Sequence, residues 1–164
     1  MANENDGRRN LVRILRHDLG LHASSVESGD TAPGIPDVEY CGRAVGQGWL
    51  EVKRIPTWPK RPGTPVRLAK GYLKRAQVSF MKQRLCAGGT SGLALQINGK
   101  DWFLISAEHV VADYDRSEQK LGFDQAWLRD HALRLSGSRG LNAQQITHAL
   151  NELRKGAVPT PDRP

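Results

Sequence analysis

Between Val52 and Lys100 the sequence has no Asp or Glu at all, while eleven of its 24 Lys and Arg residues fall from Lys53 to Lys100. A stretch with no counter-charge of its own must find anions elsewhere in the fold or on a polyanionic ligand. Cysteine is also scarce. Cys41 and Cys86 form no CxxC pair and have no histidine at ligand spacing, which excludes a disulfide framework and leaves no zinc pattern. The expectation is two reduced thiols inside the fold. Long apolar runs are missing, and Met1 to Asp6 carries no basic-then-apolar pattern, so the chain is expected to be soluble and cytoplasmic, with no membrane partner. The five histidines, at 17, 22, 109, 131 and 148, lack ligand or triad spacing and read as structural or surface residues. No phosphate-binding glycine loop and no internal repeat is present. With 164 residues, of which 38% are hydrophobic, the chain is long enough for one domain with a modest core.

What is there centres on Gly34 to Lys53. Gly34-Ile35-Pro36-Asp37 leads into a short strand pattern, roughly Asp37 to Cys41. Glycines at 42, 46 and 48 allow the chain to turn back, and Trp49-Leu50-Glu51-Val52-Lys53 forms a second strand. Side chains alternate along a strand, so Leu50 and Val52 face the core while Glu51 and Lys53 share the other face. If the two strands pair antiparallel, Asp37 must lie level with Glu51 or Lys53. Two adjacent carboxylates repel unless a divalent cation sits between them, and hard oxygen donors suit Mg²⁺ or Mn²⁺.

The ordered set Gly34-x-Pro36-Asp37, an apolar strand, Glu51-x-Lys53 and a basic helix carrying Gln77 resembles the PD-(D/E)XK nuclease superfamily. Within it, the set is similar to the virus-type replication-repair (VRR-NUC) branch, which includes Holliday-junction-resolvase-like, phage-type enzymes. The resemblance covers about residues 27 to 105. It implies a Mg²⁺- or Mn²⁺-dependent endonuclease acting on DNA, structure-selective for branched, nicked or single-stranded substrates, in the cytoplasm of a bacterial host if phage-encoded. Asp37 and Glu51 would hold the metal with the Val52 carbonyl as a third ligand, Lys53 would be catalytic, and Gln77 would line the site. In that superfamily the first helix often brings another acid, but Glu4, Asp6 and Asp18 do not stand at a matching position here. Glu27 either supplies that carboxylate or faces solvent. A homodimer suits branched DNA. The alternative is a non-catalytic nucleic-acid-binding protein that keeps the fold.

The rest of the chain is read in order. Apolar residues from Leu11 to Leu19 predict an amphipathic helix over Arg8–Leu19 that Gly20 stops, with Arg8, Arg9, Arg13 and Arg16 outward. Leu21 to Glu27 reads as a first strand. Four prolines between Pro56 and Pro65 stiffen an extended loop. On it, Trp58 either stacks on an unpaired base or pins the loop, while Lys60 and Arg61 are free to meet phosphate. Arg54, Arg67, Lys70, Lys74 and Arg75 complete the expected DNA-facing set. A second helix is expected over Leu68–Leu85, with Leu68, Tyr72, Ala76, Phe80 and Leu85 inward. Asn98-Gly99 predicts a hairpin between Gly92–Ile97 and Asp101–Ile105. Beyond it, helical patterns over Glu108–Tyr114, Phe123–Leu135 and Asn142–Leu153 point to a C-terminal extension, residues 106–155, that packs on the core or dimerises. Residues 156–164 read as a disordered tail. The expected class is α/β: a mixed sheet of four or five strands flanked by helices, a restriction-endonuclease-like core over residues 1–105.

Overall fold

A ten-residue strand, Gly46–Ile55, forms the middle of the molecule because its two faces are sorted by alternation: Leu50 and Val52 on one side, Glu51 and Lys53 on the other. In the computed structural model, which describes residues 4–26, 34–67, 73–116 and 122–156, the strands are β1 His22–Ser25, β2 Val38–Gly42, β3 Gly46–Ile55, β4 Val66–Arg67, β5 Thr90–Ile97, β6 Asp101–Ser106, β7 Gly122–Phe123, β8 Leu133–Arg134, β9 Ser136–Gly137 and β10 Gly140–Leu141. The helices are α1 Glu4–Arg13, α2 Arg75–Cys86, α3 Ala107–Arg116, α4 Gln125–His131 and α5 Ala143–Gly156. Among the described residues the main sheet has six strands in the order β1-β2-β3-β5-β6-β8, larger than the four or five expected. Its pairings are antiparallel except β3 with β5, where α2 provides the crossover a parallel pair requires. The fold is thus the mixed, helix-flanked α/β sheet of the restriction-endonuclease-like class.

Each face of the sheet buries its own apolar cluster. On one face Val38, Tyr40, Leu50, Val52, Ala94 and Leu104 meet Leu11, Ile14 and Leu15 from the N-terminal helix and Ile146, Ala149, Leu150 and Leu153 from α5. On the other, Leu93, Leu95, Ile97, Phe103 and Ile105 meet Val78 and Met81 of α2, Val110 and Tyr114 of α3, and Leu128 of α4. Fully burying one such aliphatic side chain is worth roughly 1.5–3 kcal/mol. Charged groups are therefore tolerated inside only where other groups answer them.

Several local expectations change. The first helix starts at Glu4, four residues before Arg8, and its last turn widens over Ile14–Asp18, where the Leu19 N–H donates to the Ile14 carbonyl at 3.1 Å. Gly20, at φ +63°, then stops it. Arg8 is not outward: it is partly buried against Asp37. Helix α2 starts at Arg75, because Lys74 is extended at φ −74°, ψ 145°. Of the expected inward stripe, Leu68 and Tyr72 lie outside the described residues. Val78 and Met81 take the core, while Phe80 packs edge-on against Trp49 at 5.5 Å. The Phe123–Leu135 pattern is helical only over α4. Its ends become β7 and β8, the latter pairing with β6. Residues 136–141 form the small β9–β10 hairpin rather than a link between helices. Both cysteines are exposed, not packed inside. Asn98-Gly99 turns the chain as expected, with φ of 53° and 71° and the Lys100 N–H donating to the Ile97 carbonyl.

Candidate active site

Antiparallel pairing puts Val38 opposite Leu50, so Asp37, one residue before β2, comes level with Glu51 on the face away from Leu50. Gly34 sets the approach. It lies at φ +96° and comes so close to the Ala76 carbonyl that an added Cβ would stand 2.5 Å from its oxygen, so only glycine lets the Pro36-Asp37 segment run beside α2. Asp37 is then fixed from two sides. One carboxylate oxygen accepts the Val52 N–H at 2.9 Å, and the other faces an Arg8 guanidinium nitrogen at 3.4 Å.

Glu51 is 0% exposed. Its Oε1 meets the Lys53 Nζ at 2.7 Å and accepts from the Gln77 Nε2 at 2.5 Å. Its Oε2 is buried with no hydrogen-bond partner among the described residues. Gln77 is held in turn by the start of α2, where its Oε1 accepts the Lys74 N–H at 2.8 Å. Lys53 also lies 3.6 Å from Glu4 of α1. Burial lifts the Glu51 carboxyl from 4.5 to about 7; Lys53 opposes that shift, while the charges of Asp37 and Glu4 add to it. For Lys53, burial alone would depress the ammonium, but Glu51 first, then Glu4 and Asp37, outweigh it and raise its pKa.

Asp37, Glu51, Lys53 and Gln77 are therefore together. Two residues of the cluster were missed from sequence: Glu4 and Arg8. Their signal was available, since Glu4, Arg8, Leu11 and Leu15 fall at i, i+4, i+7 and i+11 on one helical face once the helix starts at Glu4. Among the expected DNA-facing residues, Lys74 and Arg75 are exposed at the α2 N-terminus, one turn or less from Gln77, and Lys60 and Arg61 are exposed on their loop. Arg54 differs: alternation puts it with Val52 on the sheet face opposite Glu51 and Lys53, which corrects its place in the set. Trp58 takes the pinning role, its indole N–H donating to Asp101 at 2.8 Å and its ring meeting Phe103 edge-on. Glu27, Lys70 and the side chain of Arg67 lie outside the described residues.

The donor set suits a hard divalent cation. Two carboxylates converge, and one buried oxygen has no partner, at a desolvation cost of about 1–3 kcal/mol or more for a charged group. Among the described residues no group of three or more His, Cys, Asp or Glu side chains is gathered in ligand geometry. A cation here would draw on few protein ligands, which is the habit of Mg²⁺ rather than of a structural zinc.

The whole chain can then be set beside solved structures. It superposes on the Holliday junction resolvase Hjc from Archaeoglobus fulgidus, an archaeal hyperthermophile, with a TM-score of 0.54 and 20% identity, covering 87% of this chain and 97% of that one. The fold is resolvase-like. No family model matches the sequence, and no curated protein matches it by sequence. The resolvase-like fold carries the cluster on the face of β3 turned toward α2. Among the described residues no helix is long and apolar enough to cross a membrane.

Proposed function

We propose that this protein is a divalent-metal-dependent endonuclease that hydrolyses phosphodiester bonds in structured DNA. The observation that carries the reading is the fully buried Glu51, whose Oε2 has no partner among the described residues while Asp37 and Lys53 stand beside it. Buried carboxyl oxygens are as a rule hydrogen-bonded or paired, so a bare one points to a ligand. Asp37 and Glu51, with the Val52 carbonyl, would hold Mg²⁺ or Mn²⁺. When bound, the cation supplies charge neutralisation and Lewis-acid polarisation of a phosphoryl oxygen.

The remaining roles belong to the chain. Lys53 holds an ammonium against the Glu51 oxygen, where it offsets charge that develops on phosphate during attack. Gln77 fixes the Glu51 carboxylate plane through a bond anchored at the α2 N-terminus, a positioning role rather than a reacting one. Arg8 and the Val52 amide orient Asp37. Glu4 pairs with Lys53 and helps hold its ammonium in place. Lys60, Arg61, Lys74 and Arg75 present cations to a phosphate backbone without reading bases, which favours recognition of shape. Branched DNA has two cleavable strands, and a homodimer would supply two such sites. The order Gly34-x-Pro36-Asp37, Glu51-x-Lys53, Gln77 supports the VRR-NUC branch within this fold, and a cytoplasmic enzyme meeting replicating DNA, phage DNA included, fits it.

The test is cleavage of labelled linear duplex, single strand, flap and four-way junction with Mg²⁺ or Mn²⁺, for the wild type beside Asp37→Asn and Lys53→Ala. The expected result is metal-dependent cutting, strongest on one branched substrate, lost in Asp37→Asn and slowed about 10²-fold in Lys53→Ala. Binding without cutting, indifferent to the variants and to EDTA, would instead support a nucleic-acid-binding protein that keeps the fold.

A further inference from the structure

A second cluster lies on the same sheet face, and the nuclease chemistry leaves it unused. The register carries a straight row across the sheet: Lys53 pairs with Leu95, Leu95 with Phe103, and Phe103 with Arg134. Directly opposed residues share a face, and neighbouring strands lie about 4.8 Å apart, so Phe103 stands roughly 10 Å and Arg134 roughly 14 Å from the strand bearing Lys53. At that end of the row a cleft of about 390 Å³ opens between Trp58, Asp101, Phe103, Gln125, Arg129 and Arg134. Its size falls within the range of small-ligand sites, about 300–1,000 Å³.

The cleft is built rather than incidental. Asp101 uses both of its oxygens: Oδ2 accepts the Trp58 indole N–H at 2.8 Å and Oδ1 faces an Arg134 guanidinium nitrogen at 3.3 Å. Arg134 is fixed a second time through its Nε, which donates to the Ser136 carbonyl at 3.0 Å. Phe103 sets the indole from behind in an edge-to-face contact at 5.9 Å. One carboxylate thus holds an aromatic ring and a guanidinium in fixed relation at the wall of a cleft. Exposed Arg129 adds a second cation, and Gln125 an amide able to donate and accept. With Asp101 neutralised by Arg134, the remaining charge favours an anion, while the indole favours a flat π-system. A ring beside one net positive charge at this scale matches a nucleotide whose base is unstacked, because bases inside a duplex do not offer a face to a side chain.

We infer that this cleft is a subsite for an unpaired nucleotide, with the base against Trp58 and its phosphate near Arg129 and Arg134. Its DNA role rests on the proposed nuclease reading, since the row from Lys53 to Arg134 would place the unpaired nucleotide a few steps along the strand from the bond to be cut.

The experiment is fluorescence anisotropy in EDTA with the full chain, comparing a labelled oligothymidylate with a blunt duplex of equal length. Trp58→Ala is expected to weaken single-strand binding about tenfold while duplex binding holds. Arg129→Ala, at an exposed position, is expected to weaken the single strand and lower the salt slope by about one. If Trp58→Ala fails to fold, Arg129→Ala combined with Gln125→Ala carries the same comparison. Equal loss on both ligands, or no loss on either, overturns the subsite. Because no cutting is measured, an absence of metal-dependent cleavage by the wild type would defeat the nuclease reading without touching this outcome.

Discussion

Two carboxylates on neighbouring parts of one sheet are treated in opposite ways. Asp101, at the start of β6, keeps some side-chain exposure, and both its oxygens are spoken for, by Trp58 and Arg134. Glu51, in the middle of β3, is fully buried, yet Lys53 and Gln77 both crowd onto one oxygen and, among the described residues, nothing meets the other. Burial alone does not explain this, since a protein that only needed a structural carboxylate would satisfy it, as Asp101 is satisfied. A satisfied acid holds its neighbours in place, whereas an orphaned one is kept at a cost that only a ligand repays.

Changing Glu51 should have the largest consequence. Glu51→Gln keeps the shape and removes the charge, and metal-dependent cleavage should fall by about 10³-fold or more, measured under single-turnover conditions. The same variant sharpens the contrast in stability. In metal-free protein the folded Glu51 carboxyl, raised by burial to about 7 from 4.5, holds a proton that the unfolded chain has released between those values. Its contribution is therefore fully present below pH 4.5 and is lost as pH rises through 7, an effect on the order of 3 kcal/mol that Glu51→Gln lacks. Urea titrations in EDTA at both ends of that range should show the wild type losing ground against the variant as pH rises. A constant difference would mean that Glu51 is ionised throughout.

Smaller effects follow from the groups around the two acids. Lys53→Ala should slow cleavage by about 10²-fold while junction binding is retained, because the ammonium acts on charge developing in the reaction. Gln77→Leu frees the Glu51 plane without touching phosphate, and should weaken metal affinity by about tenfold, read by titration of Mn²⁺ against cleavage rate. Asp101→Asn should be the mildest. It weakens two bonds and should lower stability by about 1–2 kcal/mol in thermal unfolding. A larger loss there than at Glu51 in the absence of metal at pH 8 would reverse the comparison.

What was legible in the sequence was what short-range geometry determines. Alternation put Glu51 and Lys53 on one face of β3, glycines 42 and 46 marked the return from β2, and Asn98-Gly99 marked the β5–β6 hairpin. The one open register, Asp37 level with Glu51 or with Lys53, resolves to Glu51. What escaped depends on contacts distant in sequence. Nothing local in the sequence assigns Glu4 to the site or turns Arg8 inward, because their partners, Lys53 and Asp37, lie 49 and 29 positions away. The phase of α2 was misread because Val78 and Met81 face Leu93 and Leu95, which share one cluster with them, while Gln77 is turned to Glu51. Residues 133–134 carry no strand signal in the sequence because a two-residue strand has no period of its own; only pairing with the edge of β6 makes it one. The sequence alone does not choose between stacking and pinning for Trp58; its bond to Asp101, 43 residues away, makes it a pinned residue whose ring still lines a cleft.

The central claim is that the bare oxygen of Glu51 is a metal ligand, and it is tested most directly by isothermal titration of Mn²⁺ into metal-free wild type, Glu51→Gln and Asp101→Asn. The account predicts saturable binding in the wild type and in Asp101→Asn, and none in Glu51→Gln. Binding of equal strength in Glu51→Gln, or no binding in the wild type at millimolar Mn²⁺, would contradict it.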